Sequence, residues 1–154
     1  MSSTFALWRR LSPVPGGRHV FSVVLSLRVP YFRTVLPTVR EMRPGRAEVT
    51  APKWWGVHNH IRTFHAIAAC NLAELAMGML AEATLPATHR WLPKAMTVRY
   101  LAKAETGLRA VAELPAIPDF GDTGFELPVP VTVYDRSGRP VLDAAITIWV
   151  TRRG

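Results

Sequence analysis

The sequence has only one cysteine, Cys70. A single cysteine excludes an internal disulfide bond, so the chain is not one of the small domains that disulfides hold together, and it fits a reducing compartment. We therefore expect a cytoplasmic protein. No base is placed beside Cys70 in the sequence, and a free cysteine among apolar residues is usually part of the core.

Long apolar runs are also lacking. The run of residues 20–27 is closed by Arg28 and Pro30, and the longer apolar segment that follows residue 63 is interrupted by Asn71 and Glu74. Neither matches the roughly 20 apolar residues of a membrane-spanning helix. No small-residue cleavage site follows the apolar run, so a secretory signal is not expected.

Motifs for metal ions and nucleic acids are missing as well. Two of the five histidines, His58 and His60, are two residues apart with no acidic residue or cysteine beside them, which is a poor arrangement for metal ligands. The sequence has no helix-turn-helix pattern and no basic strand with interleaved aromatic residues. We expect no metal site and no nucleic-acid partner.

Acidic residues are scarce in the first third of the chain, where residues 1–46 hold eight arginines and one acid, Glu41. This segment carries most of the net charge of +8. Such a surface attracts anions, either phosphate groups or an anionic membrane face, and its simpler interpretation is a solvated basic surface. Contact with a membrane surface therefore stays open.

The chain does contain enough apolar residues for one core. With 154 residues and 49% apolar content, it is expected to form a single structural domain. Within it, residues 1–34 form an N-terminal segment with predicted helices at residues 3–11 and 18–27. This segment is expected to pack on a main domain of residues 35–154.

Alternating apolar residues predict a hairpin at residues 38–42 and 46–50. They also predict four later strands, at residues 94–104, 106–114, 125–133 and 141–151. Pro128 and Pro130 are expected to push their strand toward an edge or a bulge. Two strands, one long helix and four strands predict an α+β fold, in which a highly curved antiparallel sheet wraps around that helix.

The long helix is predicted at residues 64–83, which are apolar on nearly every side of a helical wheel. Such a helix belongs inside the protein. Glu74 lies near its middle, where an ionised carboxylate is costly unless it is hydrogen-bonded or used in chemistry. Glu74 therefore either faces solvent or a subunit boundary, or it belongs to a functional site.

Thr63 is the predicted N-cap of this helix, which leaves the amides of the next three residues free at its positive end. Free amides there can hold an oxyanion or polarise a carbonyl group. Ala66 and Glu74 are eight residues apart, or about 12 Å along one helix axis. If both serve one site, the carboxylate must therefore come from a second copy of the chain.

The segment that carries these features, residues 58–78 (HNHIRTFHAIAACNLAELAMG), resembles the hotdog-fold acyl-CoA thioesterases of the phenylacetate-pathway type. Their pattern has an Asn, a Gly three residues on, a His-Gly-Gly at the helix start and then Leu-x-Glu/Asp. The residues that match are Asn59, His65, Leu72 and Glu74. Arg62, Ala66 and Ile67 replace the glycines. The resemblance covers most of the chain, which is similar to an uncharacterised bacterial subgroup of hotdog proteins.

The resemblance implies a hotdog fold, here with extra N-terminal helices, and hydrolysis of acyl-CoA thioesters in lipid metabolism. It implies that the amide of Ala66 polarises the thioester carbonyl, that Glu74 of a partner chain is the base or nucleophile, and that Asn59 and His65 assist. No cofactor is expected beyond the coenzyme A of the substrate, and the assembly is a homodimer or a dimer of dimers. The side chains expected to bind substrate are Arg62, Asn71, Arg99, Lys103 and Arg109.

Two other functions suit the same architecture. An acyl dehydratase or hydratase needs an Asp-x4-His segment or a His facing a Glu in a Phe-Pro-Gly context, and the sequence has neither. A non-catalytic acyl or acyl-CoA binding module, placed next to a membrane by its basic first third, stays open because Arg62 and Ile67 stand where the pattern has glycine.

Overall fold

A computed structural model describes residues 1–154 and shows three α-helices and six strands. The helices are α1 (Ser3–Leu11), α2 (Gly17–Arg28) and α3 (Ala66–Thr84), with two short 3-10 helices at Pro30–Val35 and Trp55–Val57. The strands are β1 (Thr38–Arg43), β2 (Arg46–Ala51), β3 (His89–Tyr100), β4 (Leu108–Glu113), β5 (Phe125–Tyr134) and β6 (Pro140–Arg152). All neighbours in the sheet are antiparallel, in the order β1-β2-β4-β5-β6-β3. The predicted α+β class and the curved sheet around one long helix are confirmed.

The helix α3 forms the centre of the hydrophobic core. Leu72, Leu75, Met77 and Leu80 have no exposed surface, and α3 packs against strands β1, β2, β4, β5 and β6. Its length and composition would also suit a membrane span, but 67% of its most apolar window is buried inside the protein. Packing under the sheet therefore accounts for its apolar character.

The two N-terminal helices pack beside this core and confirm the predicted helices to within one residue at each end. Ser2 caps α1 by accepting a hydrogen bond from the amide of Phe5, and its hydroxyl donates to the carbonyl of Glu82 in α3. Trp8 of α1 meets Phe21 of α2 edge to face at 5.1 Å between ring centroids. The division of the chain at residues 34 and 35 stays a prediction.

The prolines of β5 were expected to push it toward an edge or a bulge, but β5 lies between β4 and β6. Its one irregularity in pairing with β6 lies between Val133 and Tyr134 and not at the prolines. β5 pairs with β6 along its whole length but with β4 only from Val131 onward. The side of β5 beside Pro128 and Pro130 therefore has no strand partner. Because no acceptor lies there, the missing amide hydrogens of the prolines cost the sheet no hydrogen bond.

Strand β3 is one of the two edge strands of the sheet, and its bounds differ from the predicted 94–104. It starts five residues earlier, at His89, and ends at Tyr100, where the amides of Leu101 and Ala102 turn to the carbonyl of Val141. It pairs only with β6, so its second edge is open. Large apolar side chains along it, among them Met96 and Tyr100, are exposed in the single chain.

Candidate functional site

The helix α3 begins at Ala66, and its N-cap is His65. The ring atom Nδ1 of His65 accepts a hydrogen bond from the amide of Ile67 at 3.1 Å. The predicted N-cap, Thr63, is wrong because its hydroxyl is already engaged with Asn59 in the preceding loop. A histidine can replace the usual Ser, Thr, Asp or Asn here because its unprotonated ring nitrogen accepts a hydrogen bond as a hydroxyl oxygen does.

Two backbone hydrogen bonds hold the end of the loop that leads into α3. The amide of Phe64 donates to the carbonyl of Ala104 at 2.8 Å, and the amide of His65 donates to the carbonyl of Val57 at 2.7 Å. The first of these bonds ties the loop to the segment between β3 and β4, and the second closes the loop on itself. The helix start is therefore held in one position relative to the sheet.

Arg62 has a left-handed backbone conformation, with φ of 60°. This is the position at which the resembled pattern has glycine, the residue that adopts such a conformation without steric cost. The structure thus keeps the turn that the pattern requires, and it does so with a residue that is strained there.

A small cavity of about 170 Å³ opens at the start of α3. Ala66 lines it, and the amide of Ala66 donates no hydrogen bond within the chain. Asn59, Tyr100 and Lys103 also line it. Its remaining wall is mostly apolar and consists of Thr63, Phe64, Ala69, Ala102, Ala104, Val141 and Leu142. A free amide at a helix N-terminus, set in an apolar wall, suits a carbonyl oxygen that gains negative charge.

Glu74 lies two turns further along α3, on a side of the helix that is not fully covered. Ile67, Cys70 and Glu74 follow each other at helical spacing, and none of the three is buried. Glu74 is half-buried, forms no ion pair and accepts no hydrogen bond from another side chain or from the backbone. Its carboxylate is therefore available for a group that the single chain does not supply.

The surface around Glu74 is apolar and uncovered. Ile67 of α3 is 57% exposed, and Met96 and Tyr100 of β3 are 38% and 57% exposed. Met96 and Tyr100 pair with Ile146 and Leu142 of β6, which are buried, so they lie on the face of the sheet that α3 covers. The part of this sheet face that carries Met96 and Tyr100 extends beyond α3 and lies next to the open edge of β3.

Tyr100 is a site residue that the sequence did not single out. Its hydroxyl lies 3.4 Å from Sγ of Cys70, on the uncovered side of α3. The hydrogen bond to Cys70, together with partial burial, raises the pKa of Tyr100 above its usual value. A signal did exist in the sequence, since Tyr100 continues the alternation of Met96 and Val98 that predicted the strand.

Of the four residues predicted to act in catalysis, the structure brings three together and leaves the fourth apart. Asn59, His65 and Ala66 lie in the loop and first turn at one end of α3, and Asn59 and Ala66 both line the cavity. Glu74 is separated from Ala66 by the roughly 12 Å expected of eight helical residues. Within one chain the acid and the free amide do not meet.

The residues predicted to bind substrate are spread over several surfaces. Lys103 lines the cavity, and Arg62 is exposed in the loop beside it. Arg99 points outward on β3 and pairs with Asp143 at 3.2 Å. Asn71 is buried and does not line the cavity. Its side-chain amide group donates to the hydroxyl of Thr34 at 3.2 Å.

Arg109 lies on the outer face of the sheet, away from α3. It pairs with Glu48 at 3.3 Å, and its guanidinium lies 4.6 Å from the ring centroid of Tyr134. With Arg40 and Arg136 it lines a second, open cavity of about 490 Å³. Arg109 therefore shares no cavity with Ala66.

Comparison with known proteins places these features in a family. A family model described as "Domain of unknown function (DUF4442)" matches residues 17–150. No curated protein matches the chain.

Among solved structures, a structural-genomics protein designated APC5556 is 42% identical, with a TM-score of 0.83 over 97% of this chain and 98% of that one. A Pseudomonas aeruginosa protein, PA5026, described as a probable thioesterase, is 23% identical, with a TM-score of 0.78 over 91% of this chain and 97% of that one. A thioesterase family protein from Silicibacter pomeroyi is 20% identical, with a TM-score of 0.71 over 86% of this chain and 96% of that one. The predicted hotdog fold is thereby confirmed.

Proposed function

Since this chain belongs to the DUF4442 family and has the hotdog fold, we propose that it hydrolyses thioesters, with acyl-CoA as the substrate. Several proteins of the same fold are named as thioesterases. The observation that carries the proposal is the pairing of a free helix-start amide at Ala66 with an unpartnered carboxylate at Glu74. An electrostatic oxyanion site and a general base are the two groups that acyl transfer to water needs.

The thioester carbonyl binds in the cavity at the start of α3. Its oxygen accepts a hydrogen bond from the amide of Ala66, where the helix dipole adds positive potential. Replacement of the glycine of the family pattern by alanine leaves this donor intact, because every residue except proline carries the same amide. The apolar wall beside Ala69 and Leu142 suits the acyl chain.

The acid comes from a second copy of the chain. Ala66 and Glu74 of one helix are too far apart to reach the same carbonyl, but two antiparallel helices side by side bring each Glu74 toward the other helix start. The uncovered apolar surface around Glu74 and the open edge of β3 support such pairing, because exposed apolar patches and unpaired strand edges are typical association surfaces.

In the reaction, the carboxylate of Glu74 either removes a proton from a water molecule or attacks the carbonyl carbon itself. In the first case, the water oxygen bonds to the carbonyl carbon, and negative charge collects on the oxygen that Ala66 holds. Collapse of this intermediate breaks the carbon–sulfur bond and releases the thiolate, which takes up a proton as coenzyme A. His65 keeps the helix start in place, and Asn59 keeps the loop in place.

The test is hydrolysis of acyl-CoA by the Glu74→Gln variant, measured as the release of free thiol from a panel of substrates with different acyl lengths. Loss of the base is expected to lower kcat about 100- to 10,000-fold. The matched control is Glu82→Gln on the same helix. Glu82 accepts a hydrogen bond from Nε1 of Trp91 at 3.1 Å, and glutamine retains that acceptor, so this variant should keep full activity.

A folded Glu74→Gln variant that hydrolyses every substrate as fast as the wild type would overturn the mechanism. If the wild type binds acyl-CoA without releasing thiol, the protein is an acyl-CoA binding module rather than a hydrolase. Location in the cytoplasm is part of the proposal, because the coenzyme A substrate is soluble and the only cysteine is free.

A further inference from the structure

Helix α2 has two apolar faces, and only one of them is packed. The packed face holds Phe21 and Leu25, with Ser22 and Ser26 between them, and all four are buried. The other face holds Val20, Val23 and Leu27, which are 52%, 59% and 66% exposed. The helix thus buries serines and exposes valines and a leucine.

A hydrogen bond to β1 fixes this orientation. The hydroxyl of Ser22 donates to the carbonyl of Arg18 at 2.7 Å and accepts from the amide of Val39 in β1 at 2.9 Å. The bond from Val39 would be lost if the helix rotated about its axis to bury the valines, whereas the bond to Arg18 lies within α2 and would move with it. The exposed stripe is therefore a stable feature of the folded chain.

The apolar surface continues past the end of α2. Val29, Tyr31 and Leu36, in and beside the 3-10 helix Pro30–Val35, are 41%, 62% and 45% exposed. A groove of about 320 Å³ runs between this segment and α2, and Val23, Leu27 and Pro37 line it. We call the exposed stripe of α2 together with Val29, Tyr31 and Leu36 the α2 surface. Patches of this kind mark sites of association.

The α2 surface is surrounded by positive charge without counter-charges. The arginines of the first forty residues form no ion pair with any acid: Arg9, Arg10, Arg18, Arg28, Arg33 and Arg40. Glu41, the only acid in this region, is already held by Arg43 and Arg46. Although burial alone would raise its pKa, these two arginines together lower it, so Glu41 stays ionised and engaged.

We propose that the α2 surface docks the protein on the surface of an anionic lipid bilayer. An exposed apolar stripe on a helix flanked by arginines is the arrangement that lies in the interface between lipid headgroups and acyl chains. A second copy is the less favoured occupant, because a twofold pairing would place two arginine-rich rims against each other with no acid between them.

Docking in this way leaves the proposed catalytic surface free. α2 packs on β1, at one end of the sheet, whereas the open edge of β3 and Glu74 lie toward the other end. The bilayer and the second copy therefore use different faces. This placement would bring a thioester hydrolase close to substrates that partition into lipid.

The experiment is co-sedimentation of the full chain with vesicles, without substrate. Neutral vesicles contain phosphatidylcholine alone, and anionic vesicles contain phosphatidylcholine with phosphatidylglycerol. We expect binding to anionic vesicles only, weakened by added salt. Val23→Ser combined with Leu27→Ser should weaken binding about tenfold or more. Arg18→Gln combined with Arg33→Gln should weaken it about fivefold for each arginine.

Matched controls remove one apolar and one basic side chain elsewhere. Ile117 is 49% exposed on the loop after β4, and Arg136 is exposed in the turn between β5 and β6. Ile117→Ser and Arg136→Gln should bind anionic vesicles as the wild type does. Thiol release without vesicles should be unchanged in the α2 variants, which separates a failure of docking from a failure of the proposed function.

The proposal is overturned if the wild type does not bind anionic vesicles, or if the folded Val23→Ser, Leu27→Ser variant binds them as well as the wild type does. It is also overturned if the α2 substitutions abolish self-association in solution while vesicle binding is absent. That result would assign the α2 surface to a second copy of the chain.

Discussion

Asn59 holds Thr63 at two points. Its side-chain amide group donates to Oγ1 of Thr63 at 2.8 Å, and its Oδ1 accepts from the backbone amide of Thr63 at 3.0 Å. The same Oδ1 also accepts from the amide of Ile61 at 3.1 Å. Most of the hydrogen-bonding capacity of Asn59 is therefore spent on closing the loop that leads to α3.

These contacts predict that Asn59 acts as a positioning residue. Asn59→Ala should lower the free energy of unfolding by about 2 kcal/mol, because it leaves two loop amides without their acceptor. Asn59→Asp keeps the acceptor, and the hydroxyl of Thr63 can turn to donate to it, so this variant should retain both stability and thiol release. If the folded Asn59→Asp variant loses kcat with an unchanged KM, Asn59 contacts the reacting groups instead.

Arg62 predicts a stabilising substitution. Its left-handed conformation, with φ of 60°, costs a non-glycine residue about 1–2 kcal/mol. Glycine removes that cost but adds flexibility to the unfolded chain, which costs about 0.5–1 kcal/mol. Arg62→Gly should therefore raise the free energy of unfolding by about 0.5–1 kcal/mol in chemical denaturation.

Arg62→Ala is the control for this substitution, because alanine removes the charged side chain and keeps the backbone strain. We expect no gain in stability from it. Equal stabilisation by alanine and glycine would show that the gain comes from loss of positive charge in a basic chain rather than from the backbone.

The elements of the fold could be predicted because their patterns are local. The spacing of apolar residues predicted the helices, and alternation predicted the strands. The position of β5 could not be predicted in the same way, since the cost of Pro128 and Pro130 depends on how far β4 extends beside them. The early start of β3 was missed because it is exposed on both faces for much of its length and shows little alternation there.

The candidate site could be predicted only in part. Glu74 stood out because a carboxylate near the middle of an apolar helix is costly to bury unless it is hydrogen-bonded or used in chemistry. The N-cap was predicted at Thr63 because threonine is a usual capping residue. The prediction failed because the hydroxyl of Thr63 is already engaged by Asn59, four residues earlier. Arg109 was grouped with the site because of its charge and its place on a strand, and the sheet places it on the face opposite to α3.

The exposed apolar surface beside Glu74 predicts that the chain forms a dimer through this surface and that a charge added there disrupts it. Met96→Glu places a carboxylate on the apolar face of β3, where a partner would bury it, and the cost should weaken association about 100-fold or more. Sedimentation velocity measures the change. Thiol release should fall with it, because the variant separates Glu74 of one chain from Ala66 of the other.

The control for Met96 is Ile117→Glu, which adds the same charge to an exposed apolar position outside this surface and should leave the assembly intact. A wild-type protein that is monomeric at all concentrations would contradict the two-chain site. So would a monomeric Met96→Glu variant with full activity.

The contact between Tyr100 and Cys70 predicts a titration that can be followed by ultraviolet absorbance of tyrosinate. The pKa of Tyr100 is raised by its hydrogen bond to Cys70 and by partial burial. A tyrosinate step above the ordinary value of about 10 should therefore be present in the wild type and absent in Tyr100→Phe. Cys70→Ala should move that step back toward the ordinary value of about 10.

The raised pKa of Tyr100 also determines how its contribution to stability changes with pH. Because the pKa is higher in the folded chain than in the unfolded one, the contribution of Tyr100 is fully present below about pH 10 and is lost as the pH rises through the folded-state pKa. The difference in unfolding free energy between the wild type and Tyr100→Phe should thus be constant at neutral pH and shrink in alkali. A difference that grows with pH, or a Cys70→Ala variant that leaves the tyrosinate step unmoved, would show that the hydroxyl and the thiol are not coupled.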